Sequence, residues 1–287
     1  AAYAETQAEY MASVKATEQE KLVAGCPEYA FNEYLQIGLE QGLVGLALFI
    51  GWLGLLFYKG IKNKRYACCG GLMSLAIFAF SSYPLQLPEF WVVLIFLGVM
   101  SVTPDKDEIR ENQAESNGHR WGKQIFFMGI AILGIGLFWM QKDHYKAYQQ
   151  WNKAQMFYNN KAYEAALEVY EPLYPLLKHK PEFLFEAAQS LSKTGQYEKA
   201  NEYLERAVLL SSDPMLYYVM AKNEQCLGEY RQAEKHLLHA IDILPERIYP
   251  YYLLMNLYTE PSYFQPAKLK MAIDSVLTKK PKVESSA

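Results

Sequence analysis

The chain has few of the residues that mark metal-binding, disulfide-rich or nucleic-acid-binding proteins. Its four cysteines have neither the spacing of metal ligands nor that of a disulfide framework. They are Cys26, Cys68, Cys69 and Cys226. Residues 141–287 contain 18 basic and 18 acidic residues. They therefore offer no excess of positive charge for phosphates, and we expect no nucleic-acid partner.

Histidines are also scarce, and we predict that those of the second half lie on the surface. They are His144, His179, His236 and His239. His236 and His239 could in principle bind a metal ion, but no carboxylate or cysteine accompanies them as a further ligand. We therefore expect neither a metal site nor a cofactor.

The chain begins AAYAETQ, without a methionine and without the pattern of a signal peptide. This first stretch is polar and loop-like, although apolar segments follow it. We expect the sequence to be part of a longer membrane protein, whose earlier helices would carry any further catalytic groups.

Four apolar segments of the first half are predicted to span a membrane. They are residues 43–58, 66–83, 90–102 and 124–140. Their charge-free cores are somewhat shorter than the ~20 residues that a bilayer requires. Tryptophan, tyrosine and partly polar extensions at their ends would make up the difference. For the third segment, a buried core helix is the alternative.

Basic residues predict the orientation of these segments. Residues 59–65 (KGIKNKR) contain four basic residues and no acidic one, so the positive-inside rule places them in the cytoplasm. Residues 103–123 are then cytoplasmic too, and the chain leaves the fourth span on the side of residues 1–34. We predict a multi-pass protein of the bacterial inner membrane, with residues 141–287 in the periplasm.

The second half has an internal period. Aromatic residues recur at Tyr163, Tyr197, Tyr230 and Phe264, with separations of 34, 33 and 34 residues. An alanine follows each of them by three residues, at Ala166, Ala200, Ala233 and Ala267. A helix–turn–helix unit of about 34 residues with small residues at the helix crossing is the tetratricopeptide pattern. Such repeats stack into a solenoid with a concave binding face.

The first helix of each predicted repeat carries an aromatic residue, and a polar residue follows it by four positions. The aromatic residues are Trp151, Phe185, Tyr218 and Tyr252, and the polar residues are Gln155, Gln189, Lys222 and Asn256. In tetratricopeptide proteins these positions usually face the concave groove, so we predict that they bind a protein or peptide partner. The alternative is that the aromatic residues pack between repeats and that their polar neighbours are solvated.

A polar stripe leads into the first apolar segment. In the sequence PEYAFNEYLQIGLEQGLVG, Asn32, Gln36 and Glu40 recur every four residues and so share one helical face. Polar groups are costly in hydrocarbon and tend to be kept there for a function. The alternative is a solvated face of an interfacial helix.

This block resembles the O-antigen ligase and polymerase family, at the point where a periplasmic loop enters one of the last membrane helices. The shared features are the asparagine, the Tyr-Leu-Gln run, an acidic residue before a glycine and the Gly-Leu-Val-Gly entry. The downstream SSYPLQLPEFW resembles the turn between the family's final helix pair, so the resemblance covers about residues 22–102. Some members of the family carry tetratricopeptide tails.

The resemblance implies a membrane glycosyltransferase. Such an enzyme takes a glycan from an undecaprenyl-diphosphate carrier on the periplasmic side and passes it to a lipid, glycan or protein acceptor. The family usually has a histidine where this chain has Phe31, which cannot take up a proton. Arginines that hold the diphosphate would lie before residue 1, so this sequence alone is expected to be inactive.

Carboxylates are the remaining candidates for the role of that histidine. Glu28, Glu33 and Glu40 lie in the block, and Glu40 is the best placed because it belongs to the polar stripe. We therefore predict that Glu40, Asn32 and Gln36 face the substrate.

We predict an all-α chain in three parts: a periplasmic loop with the start of an interfacial helix (1–34), a transmembrane region of about four helices (35–140) and a periplasmic solenoid of about four repeats (141–287). The leading interpretation is the C-terminal part of an O-antigen ligase-like glycan transferase. Its predicted partners are the bilayer, an undecaprenyl-diphosphate-linked glycan and a protein or peptide in the groove. The alternative is a non-catalytic, membrane-anchored adaptor of envelope glycan assembly, which fits Phe31.

Overall fold

The computed structural model describes residues 2–13, 15–27, 30–103 and 141–279, with isolated positions between 128 and 139. These residues form helices and turns and contain no β-strand, which confirms the all-α prediction for the described ranges. Contacts divide the chain into two compact units, Pro27–Gly136 and the combination of Ala1–Cys26 with Leu137–Ala287. Residues 1–34 are predicted above to be a separate part, whereas contacts group residues 1–26 with the repeats.

Three packed helices make up most of the described part of the first unit. They are α3 (Glu33–Lys62), α4 (Tyr66–Ser81) and α5 (Pro88–Val102). At 1.5 Å per residue α3 is about 45 Å long, and among the described helices it alone is long and apolar enough to cross a membrane. Helices α4 and α5 have 16 and 15 residues and are too short for that criterion. The structure thus does not confirm four spans, and the predicted span at 124–140 lies almost wholly outside the described residues.

Small residues let the three helices approach closely. A Cβ atom added to Gly60 would lie 2.5 Å from the sulfur of Cys69, and one added to Gly98 would lie 3.3 Å from Leu56. Close approach at glycine is how helices pack where lipid removes the hydrophobic driving force. Beside Gly60, the Asn63 side chain donates hydrogen bonds to the carbonyls of Ser101 (3.0 Å) and Val102 (3.2 Å), joining the ends of α3 and α5.

Large apolar side chains cover the outside of this unit. Leu43, Leu48, Leu55, Ile77, Phe80 and Phe96 are each more than half exposed. Exposed apolar side chains in this number are typical of a membrane or protein contact rather than of a solvated face.

Helix α3 is broken near its start. Gly42 has φ 73° and ψ 179°, a conformation that side-chain-bearing residues rarely adopt. The break separates the polar first turns of α3 from the long apolar segment that follows.

Among the described residues of the other unit, four helical hairpins form the repeats. The pairs are α6 (Lys142–Asn159) with α7 (Tyr163–Leu177), α8 (Pro181–Lys193) with α9 (Tyr197–Val208), α10 (Met215–Leu227) with α11 (Tyr230–Ile243), and α12 (Ile248–Tyr258) with α13 (Pro266–Thr278). The first helices of neighbouring pairs lie against one another.

The periodic residues explain why the hairpins repeat. Tyr163, Tyr197 and Tyr230 each begin a second helix. The alanines three residues later in the first three repeats are completely buried, because only a methyl group fits where two helices cross. The last repeat departs from this pattern: Phe264 precedes α13 and Ala267 is exposed, since no further described repeat packs against it.

Two short helices precede α3 in the chain and belong to the same unit as the repeats. They are α1 (Ala2–Ala12) and α2 (Glu18–Val23). Helix α2 begins with a capping box, in which Thr17 and Glu20 each accept a hydrogen bond from the other's backbone N–H. Helix α1 lies against α11 of the third repeat.

Candidate functional site

The first residue of the predicted polar stripe holds two helices together. Asn32 is the N-cap of α3, and its side-chain oxygen accepts a hydrogen bond of 3.0 Å from the backbone N–H of Leu35. Its amide nitrogen donates to the carbonyl of Phe80, near the end of α4, at 2.8 Å. Both polar atoms of Asn32 are therefore already bonded within the protein.

The next two residues of the stripe are bonded to each other. Gln36 is buried; its side-chain oxygen accepts from the backbone N–H of Ala30 at 2.8 Å, and its nitrogen donates to the Glu40 carboxylate. Glu40 is exposed and lies two residues before the break at Gly42. Of the three residues, Glu40 alone presents its polar group to the surroundings.

A fourth polar residue, Glu33, is the most deeply buried one of this region, at 1% exposure. Its carboxylate accepts a hydrogen bond of 2.7 Å from the backbone N–H of Leu85, in the turn between α4 and α5. Glu33 thus brings residues 27–45 into contact with residues 81–91, the two blocks on which the resemblance rests. Phe31 is exposed and makes an edge-on ring contact with Tyr83 at 5.4 Å. Glu28 lies outside the described residues.

In the repeats, the two predicted groove residues of the first hairpin bind one carboxylate of the second hairpin. Glu186 accepts hydrogen bonds from the indole of Trp151 (2.7 Å) and the amide of Gln155 (2.8 Å), and also from the phenol of Tyr170 at 3.0 Å. The amide oxygen of Gln189 accepts from Tyr158. These side chains join the first repeat to the second, so most of their polar atoms are used within the fold.

The groove residues of the last two hairpins are arranged differently. Lys222 donates a hydrogen bond of 2.6 Å to the phenol oxygen of Tyr249, and its ammonium also lies 5.2 Å from the centre of that ring. Tyr249 stacks beside Tyr252, with 6.3 Å between ring centroids, and contacts Tyr218 edge-on at 5.4 Å. Lys222, Tyr249 and Tyr252 are exposed, and we call them the tyrosine–lysine patch.

Tyr218 forms the floor of this patch. It is 4% exposed, and burial raises the pKa of its phenol above the ordinary range. It therefore stays neutral, and its apolar ring supports Tyr249. Asn256, the remaining predicted groove residue, is half-buried, as are Phe185 and Trp151.

Metal chemistry finds no support among the described residues, where no group of three or more His, Cys, Asp or Glu side chains is arranged to hold an ion. His236 is half-buried, with Nδ1 2.9 Å from the carboxylate of Glu224. His239 lies 3.3 Å from the carboxylate of Glu5 in the N-terminal helix. The two histidines thus have different partners.

Sequence comparison supports the repeats and nothing else in the chain. A family model described as "Anaphase-promoting complex, cyclosome, subunit 3" matches residues 159–240. The described repeats therefore contain tetratricopeptide-like units, as the periodicity predicted. No curated protein matches the chain. The resemblance of residues 22–102 to O-antigen ligases gains no support from these comparisons.

Solved structures to which the chain is similar include MamA (41-end) from Desulfovibrio magneticus RS-1, at 18% identity and a TM-score of 0.41, covering 46% of this chain and 72% of that one. They also include the Yersinia enterocolitica type III secretion chaperone SycD in complex with a peptide of the translocator YopD. That match has 19% identity and a TM-score of 0.35, and it covers 44% of this chain and 91% of that one.

Proposed function

We propose that the chain is a membrane-anchored adaptor whose repeats bind a peptide segment of a protein partner at the tyrosine–lysine patch. Support for the anchor comes from α3, which is 30 residues long, and from the apolar outer surface of α3, α4 and α5. Support for binding comes from the repeats, because stacked first helices present one continuous face to a ligand.

The composition of the patch favours a peptide with a carboxylate. Lys222 is exposed, and its ammonium lies 2.6 Å from the phenol oxygen of Tyr249. An ammonium has three donors, and the phenol of Tyr249 uses one of them. A carboxylate would therefore form a charge-assisted hydrogen bond with Lys222, while Tyr252 offers a rigid apolar ring to the neighbouring side chain.

The single observation that carries this proposal is the exposure of two aromatic rings and a lysine on neighbouring first helices. Tyr249 is 41% exposed and Tyr252 is 44% exposed, whereas of the aromatic residues that correspond to Tyr252 in the earlier repeats Tyr218 is buried and Trp151 and Phe185 are half-buried. Rigid aromatic side chains that stay exposed are typical of binding surfaces.

The experiment is a screen of the full-length protein in detergent micelles against displayed random octapeptides. Selected sequences are then measured by fluorescence anisotropy with wild type, Lys222→Ala, Tyr252→Ala and the control Lys235→Ala, an exposed lysine of α11. We expect selection of Asp- and Glu-containing peptides. Losing a charge-assisted hydrogen bond of roughly 1.5–3 kcal/mol should weaken binding about 10- to 100-fold for Lys222→Ala, and Lys235→Ala should bind like wild type. Peptides without acidic enrichment, or equal affinity for Lys222→Ala, would contradict the proposal.

A second candidate function is transfer of an undecaprenyl-diphosphate-linked glycan by a longer parent protein with about four spans in this region and its repeats in the periplasm. The sequence blocks that resemble O-antigen ligases support it. In addition, Glu40 is exposed next to a helix break and receives a hydrogen bond from Gln36. In this case the repeats would recruit the acceptor.

The structure changes how this second function is best tested. Asn32→Ala would remove a helix cap and an interhelical bond, so it would lower activity through folding alone. Glu40→Gln keeps the size and the hydrogen-bond acceptor of the exposed carboxylate but removes its charge. If the Glu40→Gln variant of the parent transfers glycan at the wild-type rate, Glu40 has no catalytic role; a loss of about a hundredfold or more supports general-base catalysis.

A further inference from the structure

The N-terminal helix α1 packs against the third repeat through two alanines. Ala4 and Ala8 are 4% and 5% exposed and lie against Ile243 and Leu244, at the end of α11. They are four residues apart and so share one face of α1. Their small side chains form a flat strip that lets the backbone of α1 approach α11.

A glutamine on the same helix completes a neighbouring helix end. The carbonyl of Ile243 belongs to the last turn of α11 and has no partner within that helix. Gln7 is buried, and its side-chain nitrogen donates a hydrogen bond of 2.7 Å to this carbonyl. Residues separated by 236 positions in the chain thus share a buried bond, which fixes the register of α1.

The rim of this contact is polar. Glu5 lies 3.3 Å from Nε2 of His239 and accepts a hydrogen bond of 3.5 Å from the phenol of Tyr217. An isolated helix of 11 residues is marginal in water, since helices shorter than ~12–15 residues rarely persist alone. The repeat surface therefore stabilises α1 in its helical form.

We propose that Tyr217, His239, Ile243 and Leu244 form a second binding site, which recognises a short helix with alanines four residues apart and a glutamine between them. Its occupant is the chain's own α1. Occupation attaches the segment that leads into α3 to the third repeat. The site is formed by the end of α11 with Tyr217 of α10 beside it, whereas the tyrosine–lysine patch is formed by other residues of α10 and α12, so the two serve different ligands.

Cys26 reports whether α1 and the segment after it are docked. It packs against the same cluster as Ala4 and Ala8. Burial, with the nearby charge of Asp213, raises the pKa of its thiol to about 11, although Arg247 partly offsets this. Cys226 is exposed and serves as an internal reference in the same sample.

The test compares Ala8→Trp with Ala12→Trp, which places the same bulk at an exposed position of α1. The full-length protein in micelles is treated with iodoacetamide near pH 8, and alkylation of each cysteine is followed by mass spectrometry. If Ala8→Trp releases the segment and the pKa of Cys26 returns to its ordinary 9.0, the reactive thiolate becomes about a hundredfold more abundant. We expect a rise of that order at Cys26 for Ala8→Trp and none for Ala12→Trp.

Gln7→Ala is the second variant, because it removes the bond to Ile243 without adding bulk, and it should raise the Cys26 rate several-fold. Wild-type rates at Cys26 in both Ala8→Trp and Gln7→Ala would overturn the proposal. So would a wild-type Cys26 rate that rises on dilution, because this would show that the helix of a second copy fills the site.

Discussion

The last repeat, which carries two of the three patch residues, depends on one buried carboxylate. Glu234 of α11 is 9% exposed. It accepts hydrogen bonds from Tyr258 (2.6 Å), Tyr263 (2.7 Å) and Lys268 (2.6 Å). These donors lie in α12, in the turn after it and in α13, so one side chain of the third repeat holds the whole fourth repeat. We predict that Glu234→Ala loosens the fourth repeat specifically.

The expected loss of stability follows from the hydrogen-bond donors that Glu234→Ala leaves without their acceptor. Tyr258 is 3% exposed, so its hydroxyl would lose its partner in a buried place, which costs about 1–3 kcal/mol. Lys268 is half-exposed, and water would replace most of its ion pair, which leaves about 0.5 kcal/mol. With a smaller loss at Tyr263, the sum is about 3 kcal/mol, or roughly a hundredfold in the opening equilibrium of the repeat.

Hydrogen exchange measured by mass spectrometry on the full-length protein in micelles tests this prediction. Each repeat of a solenoid contacts only its neighbours, so the opening is local. We expect peptides from α12 and α13 to exchange about a hundredfold faster in Glu234→Ala, while α6 to α9 keep their wild-type rates. Glu205→Ala, at an exposed position of α9, is the matched control. If α12 exchanges at the wild-type rate in Glu234→Ala, or if exchange accelerates equally in all repeats, Glu234 does not hold the fourth repeat specifically.

Three further predictions concern other parts of the fold. Gly60→Ala should lower the free energy of unfolding, measured by thermal unfolding in micelles, by about 1–3 kcal/mol, because the added Cβ would lie 2.5 Å from the Cys69 sulfur. Gly54→Ala should leave it unchanged, because the Cβ added there has open space. Gly228→Ala should lower the free energy of unfolding in chemical denaturation by about 1 kcal/mol, since φ is 80° at this C-cap. The added Cβ meets nothing within 4 Å, so the loss comes from the backbone conformation alone. An unchanged denaturation midpoint would contradict a left-handed cap. For Glu234, burial alone would raise the pKa, but bonds from Lys268 and two tyrosines lower it below 4.5. Its contribution to stability is therefore complete above pH 4.5 and is lost as the pH falls through the lowered value, so hydrogen exchange should show acid loosening of α12 in wild type that Glu234→Ala lacks.

The repeats could be predicted from the sequence because their signals are local and recur. Tyr163, Tyr197 and Tyr230 keep a spacing of 33 to 34 residues, and each begins a helix. The sequence failed at the last repeat, where Ala267 is in phase but exposed. The period predicts where each repeat begins, but the alanine of a repeat is buried only where another repeat follows.

The groove residues could be predicted only as positions, and their roles depend on partners from other helices. Trp151 and Gln155 follow the same pattern as Tyr252 and Asn256, yet the first two bind Glu186. Neither Glu186 nor Tyr249 belongs to the periodic stripe, so the pattern gave no signal for them. An acidic residue one position after Phe185 was the only available hint.

Contacts between segments that are distant in the chain could not be predicted from the sequence. The docking of α1 joins Gln7 to Ile243, and no periodicity connects these positions. The same holds for Glu33, whose carboxylate bonds to Leu85. Glu33 follows Asn32 directly and is therefore not part of the stripe of Asn32, Gln36 and Glu40. The four-residue spacing thus did not indicate the most buried polar group of the region.

Binding of an acidic peptide at the tyrosine–lysine patch is tested most directly by reversing the charge of Lys222. The affinity of one selected acidic octapeptide, and of the same peptide with lysine in place of its acidic residues, is measured by anisotropy with wild type and Lys222→Glu. Wild type should prefer the acidic peptide, and Lys222→Glu should reverse this preference. The same preference in both proteins would contradict binding at the patch.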